Sequence, residues 1–318
     1  MLLEERNYYK PFNYPWAFEH YKTQQHMHWL PDEVNLADDL KDYRERLTPE
    51  NKKLISQIFR FFTQADVDVC CGYAKHYLPT FKQPEVRMML SAFAAMEAVH
   101  QEAYSLLLET LGFGDEEYQK FFEHKEMLAK HEHLNDFGME TEMDIAKTIA
   151  IYSAFTEGVQ LFSSFAILLN FPRHNLMKGM GQIVTWSVRD ETLHVEGMSQ
   201  LFRTFIAENP ELWTDDLKYE IYCAAERTVE LEDAFIDLCF ENAEVPSLTA
   251  QEIKDYIRYI ADRRLLGLGM KKIFGSENNP LPWLDYMLNG VEHTNFFENR
   301  ATEYSRASTT GNWQDIFK

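Results

Sequence analysis

Apolar residues recur along most of this chain at the three-and-four spacing of an amphipathic helix, and proline and glycine punctuate the runs. Thr48-Pro49-Glu50 reads as an N-cap, a proline at the first helical position and an acidic first turn. Leu54, Ile55, Ile58, Phe59 and Phe62 then follow at helical spacing. A second helix is predicted from Pro84-Glu85 to a stop at Gly112. A third runs from about Asp144 to Asn170, ahead of Pro172, and a fourth from about Asn175 to Asn209, ahead of Pro210. Trp213 to Phe240 and Thr249 to Leu266 make two more. Several of these exceed the ordinary helix length, which suits a bundle whose helices point side chains into one interior. No alternating strand pattern, internal repeat or low-complexity linker interrupts them. The pattern therefore predicts an all-α helical bundle, one domain over residues 1–301. An irregular segment that mixes aromatics with turn residues occupies about 1–47, and residues 302–318 form a polar, flexible tail.

Composition narrows the partners. The chain has 318 residues, long for one domain but within reach of a large bundle, and 45% are hydrophobic, enough for a full core. A formal net charge of −20 repels phosphate backbones, so nucleic acid is not an expected partner. Cys70, Cys71, Cys223 and Cys239 form no CxxC pair and suggest no zinc site, and they fit reduced thiols in a cytoplasmic protein. The N-terminus MLLEERNYYKPF is acidic where a signal peptide is basic, and no charge-free apolar stretch near membrane-spanning length is evident, so no membrane association is expected.

The chemistry lies in acids placed where core helices want apolar residues. Glu97-Ala98-Val99-His100 and Glu191-Thr192-Leu193-His194 are both Glu-x-x-His, a spacing that puts the two side chains on one helix face. One such motif is weak, because this many acids and 11 His would give about one by chance. The setting is stronger. Glu97 and His100 sit among Met88, Met89, Leu90, Phe93, Met96 and Leu106 to Leu108; Glu157 interrupts the apolar run Ile149 to Leu169; Asp66 follows Ile58-Phe59-Arg60-Phe61-Phe62. A carboxylate buried alone there is costly and needs a partner. Taken singly, each acid reads as a helix-surface residue and each His as a satisfied core histidine. Taken together, one carboxylate from each of two helices plus Glu-x-x-His from each of two others is the di-metal arrangement of ferritin-like bundles. Four carboxylates balance two divalent ions, and oxygen donors with one imidazole per metal suit iron or manganese. Tyr104 falls in register with the site, because 104 − 97 = 7 and 104 − 100 = 4.

These residues resemble the small, radical-generating subunit of class I ribonucleotide reductase, and the likeness covers nearly the whole chain. The separations 97 − 66 = 31 and 191 − 157 = 34 look like that family's ligand spacings. The resemblance implies metal ligands at Asp66, Glu97, His100, Glu157, Glu191 and His194; Asp68 competes with Asp66 on sequence but faces elsewhere on its helix. It implies a dinuclear centre, with iron preferred and manganese or mixed manganese–iron open. Tyr104 stands where the family stores a tyrosyl radical, and Leu161 and Phe165 match positions that shield it. Ser187 departs from the apolar residue that several relatives keep. Trp29 and Asp190 look like the near end of a radical-transfer route, and Tyr304 like its exit. The last residues, including Trp313, Asp315 and Phe317, resemble the tail that docks on the large subunit, and a homodimer is implied. Cys70, four residues after Asp66, reads as core packing close to the site. The activity implied is delivery of a one-electron oxidant for reduction of ribonucleotides to deoxyribonucleotides. A di-iron oxygenase or desaturase, an iron-storage bundle and a metal-free scaffold are the alternatives on the same pattern.

Overall fold

The computed structural model describes residues 1–288 except 117, 120–124, 135–137, 242 and 244. Met1–Pro280 form one compact unit, and a second begins at Leu281. The boundary expected at residue 301 and the tail 302–318, with Tyr304, Trp313, Asp315 and Phe317, lie outside the described residues.

The first unit is all-α among its described residues: α1 Pro15–Met27, α2 Ala37–Glu45, α3 Pro49–Gly72, α4 Pro84–Leu111, α5 Lys125–Leu134, α6 Glu142–Ile151, α7 Phe162–Arg173, α8 Lys178–Glu208, α9 Asp215–Phe240 and α10 Ala250–Gly267. Local chemistry explains the ends. The Thr48 side chain accepts from Asn51 N at 3.2 Å, and Thr214 caps α9 in the same way. Thr141 with Asp144 and Thr249 with Glu252 are reciprocal capping boxes. Gly112 closes α4 at φ 91°, a left-handed conformation that costs glycine little. The start of α8 has no side-chain cap of its own. Asp39 of α2 accepts from Gly179 N and Met180 N, and Asp42 accepts from Met177 N. The short helix α2 thus caps the helix that carries Asp190, Glu191 and His194.

Two departures from the sequence pattern bear on the site. Residues 1–47 are more ordered than their mixed composition implies, with α1 and α2 formed. Pro15 opens α1, but α1 buries only Ala17 and Gln24, so it shows no apolar period. The third predicted helix is not one α-helix. After α6 the chain widens to π-helix over Tyr152–Glu157, passes a turn, and resumes as α7. It also runs through Pro172 to Arg173 rather than stopping before the proline. A second π-helical stretch, Tyr73–Tyr77, follows α3. The two widened stretches meet: Tyr77 and Tyr152 are edge to face at 5.8 Å, and a Cβ on Gly72 would overlap the Tyr152 hydroxyl. Glu142–Arg173 contains a window of mean hydropathy 1.2, apolar enough to cross a membrane, and all of that window is buried inside the protein.

Candidate metal centre

Four helical segments converge on one buried cluster. Asp66 comes from α3, Glu97 and His100 from α4, Glu157 from the π-helical end of α6, and Glu191 and His194 from α8. None of these six is more than 1% exposed. Their ligand atoms fall into two groups, Asp66 with Glu97, His100 and Glu191, and Glu157 with Glu191 and His194, each within 4.8 Å throughout. Glu191 belongs to both. Its Oε1 is 3.3 Å from His100 Nδ1 and its Oε2 is 3.8 Å from His194 Nδ1. Glu97 faces both imidazoles in the same way, at 3.5 Å and 2.9 Å. Glu157 Oε2 lies 3.9 Å from His194 Nδ1. Asp68, the competitor, points instead to His131 Nδ1 at 2.5 Å.

The donor set fits two cations. Asp66 Oδ2, both Glu97 oxygens, Glu157 Oε1 and Glu191 Oε2 are buried without a hydrogen-bond donor, and His194 Nδ1 has no hydrogen-bond partner. Buried carboxylates in that condition are strongly unfavourable unless a charge compensates them. The electrostatics agree. Burial raises the carboxyls of Asp66, Glu157 and Glu191 above their ordinary range, and repulsion from neighbouring carboxylates adds to it. Only Glu97 stays low, because His100 and His194 outweigh its burial.

Both imidazoles turn Nδ1 toward the acids and Nε2 outward. His100 Nε2 is 3.3 Å from Asp190 Oδ2, which also accepts from Trp29 Nε1 at 2.7 Å. Burial works against the charge on Asp190, but His100, Arg189 and Trp29 hold its carboxyl below the usual range. His194 Nε2 is 3.2 Å from Gln24 Oε1, and Gln24 Nε2 donates to Asp190 Oδ1 at 3.0 Å. Gln24 therefore links the outer faces of the two histidines, which fixes ring orientation. The sequence gives little sign of it, because a glutamine in a polar stretch reads as surface. Trp29 also stacks on His100 at 6.0 Å and lies 5.1 Å from Trp186. Tyr73 likewise carries no sequence signal of a role; its hydroxyl donates to Glu157 Oε2 at 3.0 Å.

Tyr104 is 1% exposed on the same face of α4 as Glu97 and His100. Phe62 stacks on it at 4.6 Å, Phe59 lies at 6.4 Å, and Phe165 packs behind Phe62 at 5.0 Å. Leu161 is also buried. The phenol donates to Ser187 Oγ at 2.9 Å, and Ser187 donates to Ile183 O. Burial, then the charge of Asp66, pushes the phenol above its ordinary range, so it is held protonated. Cys70 Sγ is half-buried against Ala94 O at 3.7 Å.

Comparison with known proteins bears on the family and the fold. The chain matches the model of the family described as ribonucleotide reductase, small chain, over residues 6–280. It belongs to that family. The "Probable ribonucleoside-diphosphate reductase small subunit 048L" of Invertebrate iridescent virus 3 is 46% identical over 330 residues, covering 98% of this chain and 88% of that one. The ribonucleoside-diphosphate reductase subunit beta of Chlamydia pneumoniae is 32% identical over 315 residues, covering 93% and 89%. The ribonucleotide reductase R2 subunit of Clostridium botulinum superposes with a TM-score of 0.81 at 22% identity, covering 87% of this chain and 89% of that chain. The small-chain fold accounts for the bundle and its buried carboxylate–histidine cluster, and it disfavours the oxygenase, desaturase and storage readings.

Proposed function

We propose that this chain generates a one-electron oxidant at a two-metal centre, stores it beside or on Tyr104, and delivers it to a separate large subunit that reduces ribonucleotides. One observation carries the reading: four carboxylates and two Nδ1 atoms from four helical segments face one another in a sealed core, with several oxygens lacking any donor. Asp66, Glu97, His100 and Glu191 would hold one ion, and Glu157, Glu191 and His194 the other. Iron is the preferred metal, and a manganese pair or a mixed pair suits the same oxygen-rich donors. Bound there, the metals supply the one-electron redox chemistry that the side chains lack.

The chain's own residues do the rest. Phe62, Phe59, Phe165 and Leu161 exclude water from Tyr104, which protects an oxidised phenol from reduction. Ser187 fixes the phenolic hydrogen bond. Asp190 holds His100 on one side and Trp29 on the other, making Trp29 the near end of the transfer path. Tyr304 is its far end, and the segment with Trp313, Asp315 and Phe317 docks on the large subunit. The working unit is a homodimer in the cytoplasm, where the four free cysteines stay reduced. Two experiments test this. Metal analysis with electron paramagnetic resonance of activated protein should find two ions per chain and a tyrosyl or high-valent metal signal; metal-free active protein refutes it. Tyr304→Phe should keep metals and signal but abolish turnover with the large subunit, and retained turnover sinks the path.

A further inference from the structure

The segment carrying Glu157 is widened from regular α-helix, and something must hold it. Glu157 ends the π-helical stretch, Gly158 and Val159 stay helical, and a turn at Gln160 and Leu161 follows before α7 starts at Phe162. Widening a helix frees backbone carbonyls, and in a buried segment each needs a donor. Two carbonyls just past Glu157 are met by cations from helices that bear none of the six candidate ligands. Arg264 of α10 donates from Nε to Gly158 O at 2.9 Å. Lys130 of α5 donates from Nζ to Gln160 O at 2.9 Å.

Both contacts are built rather than incidental. The Lys130 side chain is fully buried and paired with Glu232 Oε1 of α9 at 2.5 Å. It also lies over the rings of Phe61 at 3.8 Å and Phe235 at 4.3 Å. Glu232 accepts in addition from Ser163 Oγ, one residue into α7. The pair therefore grips the turn on both flanks, at Gln160 and at Ser163. Arg264 lies over Phe162 at 5.0 Å. Gly158 has a φ of −85°, which any residue adopts, so conformation does not require glycine there. Space does: a Cβ would stand 2.8 Å from Arg264 Nε and 3.1 Å from its Cδ. A buried ion pair is weak evidence for stability, since apolar residues of similar volume often do as well. Its aim at the turn is the more specific fact.

We propose that Lys130 and Arg264 are positioning residues for the Glu157 half of the metal centre, holding the end of the widened helix and the turn after it so that the Glu157 carboxylate stands among the ligands. This rests on the two-metal reading. It carries a consequence that general stabilisation does not. Only Glu157 sits on the clamped segment, so loss of a clamp weakens the site of Glu157, Glu191 and His194. The site of Asp66, Glu97, His100 and Glu191 is spared.

The test is anaerobic titration of full-length, metal-free protein with Mn(II), with free Mn(II) followed by electron paramagnetic resonance. The variants are Arg264→Met, Arg264→Lys and the pair Lys130→Met with Glu232→Gln, which leaves no buried charge alone. Wild type should bind two ions per chain. Arg264→Met and the paired variant should keep one site at wild-type affinity and weaken the other by roughly 10–100-fold, the usual effect of losing an outer-shell partner. Arg264→Lys should recover part of the loss. If the paired variant does not fold, Arg264→Met decides alone, because Arg264 is only partly buried. Folded variants that bind both ions as wild type does, or that lose both equally, overturn the proposal. A wild type that binds fewer than two ions overturns the metal reading itself and this inference with it.

Discussion

The protein buries two charged clusters, and they are built on opposite plans. Around Lys130 the negative charge of Glu232 is answered by the chain's own cation, within 2.5 Å, and by Ser163. In the centre of the bundle four carboxylates face two imidazoles, and five of their oxygens lack a donor. The first cluster carries its own counter-cation in Lys130. On the proposed reading, the second takes its cations from outside. The same physics, the cost of moving charge out of water, underlies both the proposed clamp and the proposed metal site.

The contrast can be broken at both ends. The largest effect should follow Lys130→Met alone. It strands Glu232 in the core and should cost about 3–5 kcal/mol, the usual range for half of a buried pair. Chemical denaturation measures it, and a loss below about 1 kcal/mol would mean that the pair is not tight. Metal should act in the opposite sense on the other cluster. Each ion held with free metal at about 100 times its Kd should add about 2.7 kcal/mol to folding stability. A thermal melt with and without Mn(II) reads this directly. Glu191→Gln should remove most of that gain, since Glu191 belongs to both ligand groups, while leaving the metal-free protein no less stable. Gln24→Leu should be milder, lowering metal affinity by about 10-fold through loss of the link between the histidines. Smallest in stability is Tyr104→Phe. It removes one hydrogen bond, worth about 1 kcal/mol, and keeps both ions. Turnover with the large subunit should nonetheless vanish, and unchanged turnover would place the stored oxidant elsewhere.

Much of this is legible in the amino-acid sequence. The cap at Thr48 and the stop at Gly112 are short-range chemistry, and the helices begin and end at them. The acids were visible because Asp66, Glu97 and Glu157 interrupt apolar runs, where a charge has no bland reason to be. What escaped depends on distant partners. The widening at Tyr152–Glu157 leaves no mark on periodicity, since its apolar residues are buried on every side. Gln24 looks like any polar residue until α1 is laid beside α8. Lys130 sits in a charged stretch and reads as solvated, yet it is buried by Phe61 and Phe235, which come from far along the chain. Ser187 stood out as a departure from an apolar position, and its partner, Tyr104, emerges only from the packing of α4 on α8.

The central claim is that two metal ions sit between these six side chains. A crystal structure of the protein loaded anaerobically with Fe(II), with anomalous data collected on both sides of the iron edge, tests it most directly. The account predicts two anomalous peaks. One lies among Asp66, Glu97, His100 and Glu191, and the other among Glu157, Glu191 and His194. A single peak, or peaks away from these residues, would contradict it.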